Sequence, residues 1–154
     1  MKAGEICNHD VVTVSPEDSI RRAAELMRQH HVGDVVVADR SGGFLTPLGI
    51  LTDRDIVVAV IAENIGLDDV SVRDTMSDQL VTANEDDDLL ATLMQMRENG
   101  VRRLPVVDGK GELVGILSAD DVIGLVAREL AEVWALIVRQ KGRETKLRSK
   151  LSER

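Results

Sequence analysis

The chain repeats itself, and a duplicated unit constrains the fold more than any single motif does. At an offset of 69, Val12-Thr13 falls on Val81-Thr82, Asp18 on Asp87, Met27-Arg28 on Met96-Arg97, Val32 on Val101, Val37 on Val106 and Asp39 on Asp108. After a three-residue slip the offset is 66, and Gly49-Ile50-Leu51-Thr52-Asp53-Arg54-Asp55 falls on Gly115-Ile116-Leu117-Ser118-Ala119-Asp120-Asp121. The slip sits in a turn: the first copy carries Arg40 to Pro47, with Ser41-Gly42-Gly43, where the second has only Gly109-Lys110-Gly111. A copy of roughly 60 residues buries too little surface to be comfortable alone, so the two are expected to pack together about a pseudo-two-fold axis.

Each copy reads as β-α-β-β-α. A short β-branched run (Val11 to Val14; Leu80 to Ala83) leads to a helix, which the Ser15-Pro16-Glu17-Asp18 pattern predicts to start with Ser15 as N-cap; Asn84 is the expected second cap. Ile20, Ala23, Ala24 and Met27 form an apolar stripe at helical spacing, matched by Leu89, Leu93 and Met96. A buried strand follows (Val35 to Val37; Leu104 to Val107), then a second strand (Leu48 to Leu51; Leu113 to Leu117) and a helix starting near Asp53 and Ala119. The expected organisation is α/β (α+β), with repeat 1 over 6–65, a linker over 66–74, repeat 2 over 75–131, and a C-terminal helix with a basic tail over 132–154. That last helix continues an apolar stripe through Val122, Ile123, Val126, Leu130, Val133 or Trp134, and Ile137. The stripe suits either a homodimer contact anchored by Trp134 or a return onto its own core.

The end of the second strand carries the chemistry. Glycine there (Gly49, Gly115) is read as letting a ligand approach the backbone. Thr52 or Ser118 at the following helix start adds a hydroxyl to free amides, a setting that suits phosphate. Three residues on, Asp55 or Asp121 comes round to the same face and can accept two hydrogen bonds from the vicinal hydroxyls of a ribose. Phosphate donors with a ribose acceptor imply a nucleotide. The bland alternative is an N-cap with an acid in the first turn, common in helices that bind nothing.

In this order, and duplicated, these motifs resemble the cystathionine β-synthase (CBS) domain, and two in tandem resemble the CBS pair or Bateman module. The residues are Gly49 to Ile56 and Gly115 to Val122, with Val101-Arg102-Arg103-Leu104-Pro105-Val106-Val107-Asp108. The likeness runs from about Ile6 to Leu130, and is to the stand-alone prokaryotic two-CBS proteins. It implies two sites, each combining Thr/Ser-x-x-Asp of one repeat with the first-strand Thr and pre-strand loop of the other. One would hold Ser118, Asp121 and Ile116 with Thr13, Gly33 and Arg103; the other Thr52, Asp55 and Ile50 with Thr82 and Arg102. The sequence departs from the family where Asp34 stands opposite Arg103 in the alignment of the copies, and Val36 opposite Pro105. A carboxylate beside a phosphate is repulsive, so Asp34 marks the second site as the weaker and the Asp121 site as the tighter, with Arg54 and Arg102 as partial compensation.

The resemblance implies a regulatory, non-catalytic module that senses an adenosine-containing ligand (AMP, ADP, ATP, NAD or S-adenosylmethionine), with no catalytic cofactor. A ligand-free dimerisation module, or a nucleotide-responsive binder of nucleic acid or an effector protein, are the alternatives. The latter would use residues 139–154, which carry +5 against −13 for the rest; a solvated helix end is the favoured reading of that tail, and nucleic acid is not the expected partner. Phe44 and Trp134 are the only aromatic residues, so base stacking is not the basis of any nucleic-acid contact. Cys7 cannot form an intramolecular disulfide, and Cys7, His9, His30 and His31 lack zinc-ligand spacing. Glu85-Asp86-Asp87-Asp88 reads as a helix start rather than a magnesium site. No Walker A, Gly-x-Ser-x-Gly or His-Glu-x-x-His occurs. No apolar run approaches the ~18 residues of a membrane span, nor does the start resemble a secretory signal, so a cytoplasmic location is expected.

Overall fold

The computed structural model describes residues 1–77 and 79–152, in two compact units, Met1 to Ser118 and the helix that begins at Ala119. The first unit holds repeat 1 and the strands and first helix of repeat 2. Repeat 1 runs β1 (Thr13–Val14), α2 (Ile20–His30), β2 (Asp34–Asp39), β3 (Thr46–Thr52) and α3 (Asp53–Asp55), which continues as a π-helix over Ile56–Ile61. Repeat 2 runs β4 (Ala83–Asn84), α5 (Leu89–Asn99), β5 (Arg103–Val107) and β6 (Leu113–Ser118). Each repeat has its own three-stranded sheet, with the first strand parallel and the third antiparallel to a central strand. Equivalent registers recur: Val36 lies opposite Ile50 and Pro105 opposite Ile116. Because β2 and β5 are covered on both faces, they read as continuous apolar runs rather than alternating ones, and Val35, Val36, Val37, Leu104 and Val106 are fully buried.

Two short helices precede the repeats, α1 (Ala3–Ile6) and α4 (Val72–Thr75), and each docks on the other repeat. Lys2 bridges to Asp88 and Ser71 to Ser19. The amides of Ala3 and Gly4 donate to the carbonyls of Asp87 and Glu85 at 2.8 and 2.9 Å; those of Val72 and Arg73 donate to Asp18 and Pro16 at 2.8 and 3.0 Å. This reciprocal exchange realises the pseudo-two-fold relation. It also corrects the helix starts. The segment Ser15 to Asp18 is a turn whose carbonyls accept from α4, and α2 begins after Ser19, whose hydroxyl accepts from Arg22 N. Likewise Asn84 to Asp87 is a turn, and Asp88, not Asn84, caps α5 through the amides of Leu90 and Ala91. The orphan amides of α1 and α4 needed acceptors, and these turns supply them.

The segment 66–74, expected as a linker, is part of the packing. Val72 is fully buried in the core built on Ile20, Val35, Leu51 and Val60, with Leu67 and Val70 packed against it. The motif glycines are corrected too. A Cβ on Gly49 would stand 2.9 Å from the Ser77 carbonyl oxygen and 3.0 Å from Met76 Sδ; one on Gly115 would collide with Cys7 Sγ and stand 3.1 Å from the Asn8 carbonyl oxygen. Asn8 and Ile116 exchange backbone bonds at 2.8 and 2.9 Å, and Ser77 N donates to Ile50 O at 3.4 Å. The crossing segments, rather than a ligand, explain why glycine stands there. His31 and Gly100 occupy the same place in the two copies, each the left-handed residue that ends its helix, at φ 55° and 66°.

The second unit is α6, Ala119–Ser152, with Asp120 and Asp121 in its first turn. No helix among the described residues is long and apolar enough to cross a membrane.

Candidate functional site

A cavity of about 440 Å³ opens between the repeats, lined from one side by Ile50, Thr52, Arg54 and Asp55 and from the other by Ser77, Gln79 to Val81 and Gly100 to Arg103. The floor forms where β3 ends and its backbone turns into a helix. Thr52 is the N-cap and forms a closed box with Asp55: Asp55 N donates to Thr52 Oγ1 at 3.2 Å, while Thr52 N and Oγ1 donate to Asp55 Oδ2 at 2.9 and 2.7 Å. All of these carboxylate bonds fall on Oδ2; Oδ1 accepts from none of the described residues. The helix beyond is rich in β-branched residues, which crowd a regular α-helical turn, and it widens into i→i+5 bonding, Ala62 N to Val57 O at 2.9 Å.

The opposite wall differs from its counterpart for a covalent reason. In repeat 1, Val36 N donates to Val12 O at 2.9 Å. The equivalent donor in repeat 2 is Pro105, which has no N–H, so the carbonyl of Val81, at the cavity wall, lacks that strand partner.

Arg103 stands at the first position of β5 and forms an ion pair with Asp34 at the first position of β2. The two occupy the same place in the two copies, so their contact lies where the pseudo-two-fold axis passes. Both are sheltered, with side chains 32% and 15% exposed, so salt screens the pair less than a surface one. Asp34 is thus neutralised by Arg103, the arginine expected at the Asp121 site, which also lines the Asp55 cavity.

Of the residues expected at this site, the structure gathers Ile50, Thr52, Asp55 and Arg102 at the cavity, with Asp34 touching its wall through Arg103. Thr82 is not among the lining residues; its carbonyl accepts from Gln95 Nε2 at 3.1 Å. Gln79, Leu80 and Val81, just before it, do the lining, and sequence reasoning missed them because the family resemblance pointed to the threonine. Thr13 accepts from Arg40 Nη2 at 3.4 Å. It lines a different opening, of about 500 Å³, with Ser15, Asp39 and Arg40. Gly33 accepts from Asp53 N at 2.9 Å, Ile116 is held by Asn8, Ser118 ends β6, and Asp121 lies in the first turn of α6. Among the described residues no three His, Cys, Asp or Glu side chains are grouped as a metal site.

A family model for the CBS domain matches the chain twice, over residues 3–62 and 72–128. The chain belongs to the CBS-domain family. This CBS pair is 41% identical over 113 residues to the CBS domain-containing protein YhcV of Bacillus subtilis, covering 73% of this chain and 76% of that protein. It is 36% identical to an uncharacterized protein of Methanopyrus kandleri, of whose length it spans 61%. Two solved structures share the fold. The CBS domain pair of protein MJ0100, in complex with 5-methylthioadenosine and S-adenosyl-L-methionine, gives a TM-score of 0.72 at 25% identity, covering 84% of this chain and 98% of that one. The CBS domain protein PAE2072 of Pyrobaculum aerophilum, complexed with AMP, gives 0.71 at 26%, covering 79% and 89%.

Proposed function

We propose that this CBS pair is a non-catalytic regulatory module that binds an adenosine-containing nucleotide in the cavity between its repeats and works as a homodimer. The observation that carries the reading is the cavity itself, which joins Thr52 and Asp55 of one repeat to the 79–81 and 100–103 segments of the other. The ribose hydroxyls donate to Asp55 Oδ1, and the phosphates meet Thr52 and the guanidinium groups of Arg54, Arg102 and Arg103. The base lies among Ile50, Leu80 and Val81. There the Val81 carbonyl accepts from an adenine amino group, whereas guanine presents a carbonyl at the matching edge. Ser118 and Asp121 form the second occurrence of the pattern and, in this reading, a second site. The expectation that this site is the tighter one rested on Asp34 and Arg103, which pair with each other, so the reading ranks neither site above the other. Ligand held across the repeats favours one arrangement of the module over another, which is the signal.

A ligand-free dimerisation role has one observation in its favour: the Thr52–Asp55 box is complete in itself, as in an ordinary helix start. Thermal unfolding with AMP, ADP, ATP, NAD, S-adenosylmethionine and GMP separates the readings. At 100 times its dissociation constant a ligand adds roughly 2.7 kcal/mol, so an adenosine ligand is expected to raise Tm in wild type. The shift is reduced in Asp55→Ala and in Asp121→Ala, and is absent with GMP. No shift with any of the five leaves the dimerisation reading.

A further inference from the structure

The helix α6 carries an exposed apolar seam. Ile123, Val126, Leu130, Val133 and Ile137 recur at spacings of 3, 4, 3 and 4, and each is between 42% and 65% exposed. A mean spacing of 3.5 residues is that of a coiled-coil seam, narrower than the stripe a helix lays on a globular core. Trp134, 64% exposed, flanks it.

Charge along the same helix is segregated. Over 119–136, Asp120, Asp121, Arg128, Glu129 and Glu132 sum to −3. Over 137–152, six cations from Arg139 to Lys150 against Glu144 sum to +5. In a parallel pair the two +5 halves would lie side by side. In an antiparallel pair crossing at Leu130, Asp121 comes level with the partner's Arg139 and Arg128 with the partner's Glu132, while the two +5 ends point apart.

We infer that α6 is the pairing surface for a second copy of this chain, with the two helices antiparallel and crossing at Leu130. That register sets Ile123 against the partner's Ile137 and brings Arg139 level with the partner's Asp121. The inference rests on the homodimer part of the proposed function and is independent of the nucleotide.

The test uses the full chain without nucleotide. Light scattering is expected to give twice the 16.8 kDa chain mass for wild type and a monomer for Leu130→Glu/Val133→Glu, whose circular dichroism stays that of the folded protein because both side chains are exposed. Orientation is read from a nitroxide on Gly142→Cys in a Cys7→Ala background, since a Cβ at Gly142 meets nothing within 4 Å. At about 1.5 Å rise per residue, antiparallel helices crossing at Leu130 separate the labels by about 36 Å along the axis, while a parallel pair keeps them within roughly 25 Å. A monomeric wild type, a dimer that survives both glutamates, or the short distance overturns the inference. Failure of every adenosine ligand to bind would leave these readouts unchanged.

Discussion

Asp34 shows how one side chain changes meaning once its neighbour is known. As a letter in the alignment it is a negative charge where a phosphate should sit; in the fold it holds Arg103. In the proposed binding mode a phosphate competes with this carboxylate for the Arg103 guanidinium. Asp34→Asn removes the competitor, and the account expects AMP to bind on the order of tenfold tighter, about 1.4 kcal/mol, with adenosine unchanged, by isothermal titration. A gain shared equally by adenosine, or weaker AMP binding, would contradict it. The sequence shows Asp34 and Arg103 to be equivalent positions, but not that equivalent positions meet. That follows only when the repeats pack face to face across a two-fold. Pro105 is the reverse case: its missing donor is plain in the sequence, while its consequence for Val81 needs the strand pairing.

At the scale of elements, the order β-α-β-β-α was legible because spacing and β-branched runs report it directly. The helix starts were not. Ser15-Pro16-Glu17-Asp18 has the residues of an N-cap and of a turn alike, and the decision is made by α4, more than fifty residues away, whose amides take the turn's carbonyls. The glycines Gly49 and Gly115 were misread for the same reason, since the chain that crosses them is remote in sequence. The helix α4 is itself held by a capping box in which Asp74 accepts from Ser71 N at 3.1 Å and Ser71 Oγ at 2.6 Å. These bonds hold the Asp74 carboxyl below its usual value, the hydroxyl bond contributing most. A lowered folded-state value means stabilisation that is present above the ordinary carboxylate range and is lost as pH falls through the folded value. Asp74→Ala is therefore expected to lower Tm at pH 7, and that difference should shrink as pH falls below about 4. A Tm difference that stays constant through acid would refute the assignment.

For the whole molecule, duplication of the chain gives two half-modules that exchange their leading helices, and the cavity is a consequence of that exchange. The segment after α4 is delivered to the end of β3, where Ser77, Gln79 and Val81 close the wall opposite Thr52 and Asp55. The Thr52-x-x-Asp55 pattern could be read from spacing alone; the wall could not, because its residues carry no motif of their own. The central claim is that an adenosine nucleotide occupies this cavity with its ribose on Asp55. A crystal structure of the chain grown with excess AMP tests it most directly. The account predicts the ribose hydroxyls within hydrogen-bond distance of the Asp55 carboxylate, about 2.5–3.0 Å, and the base against Ile50 and Val81. An AMP molecule with its phosphate toward Asp55, or a cavity without nucleotide at saturating AMP, would contradict it.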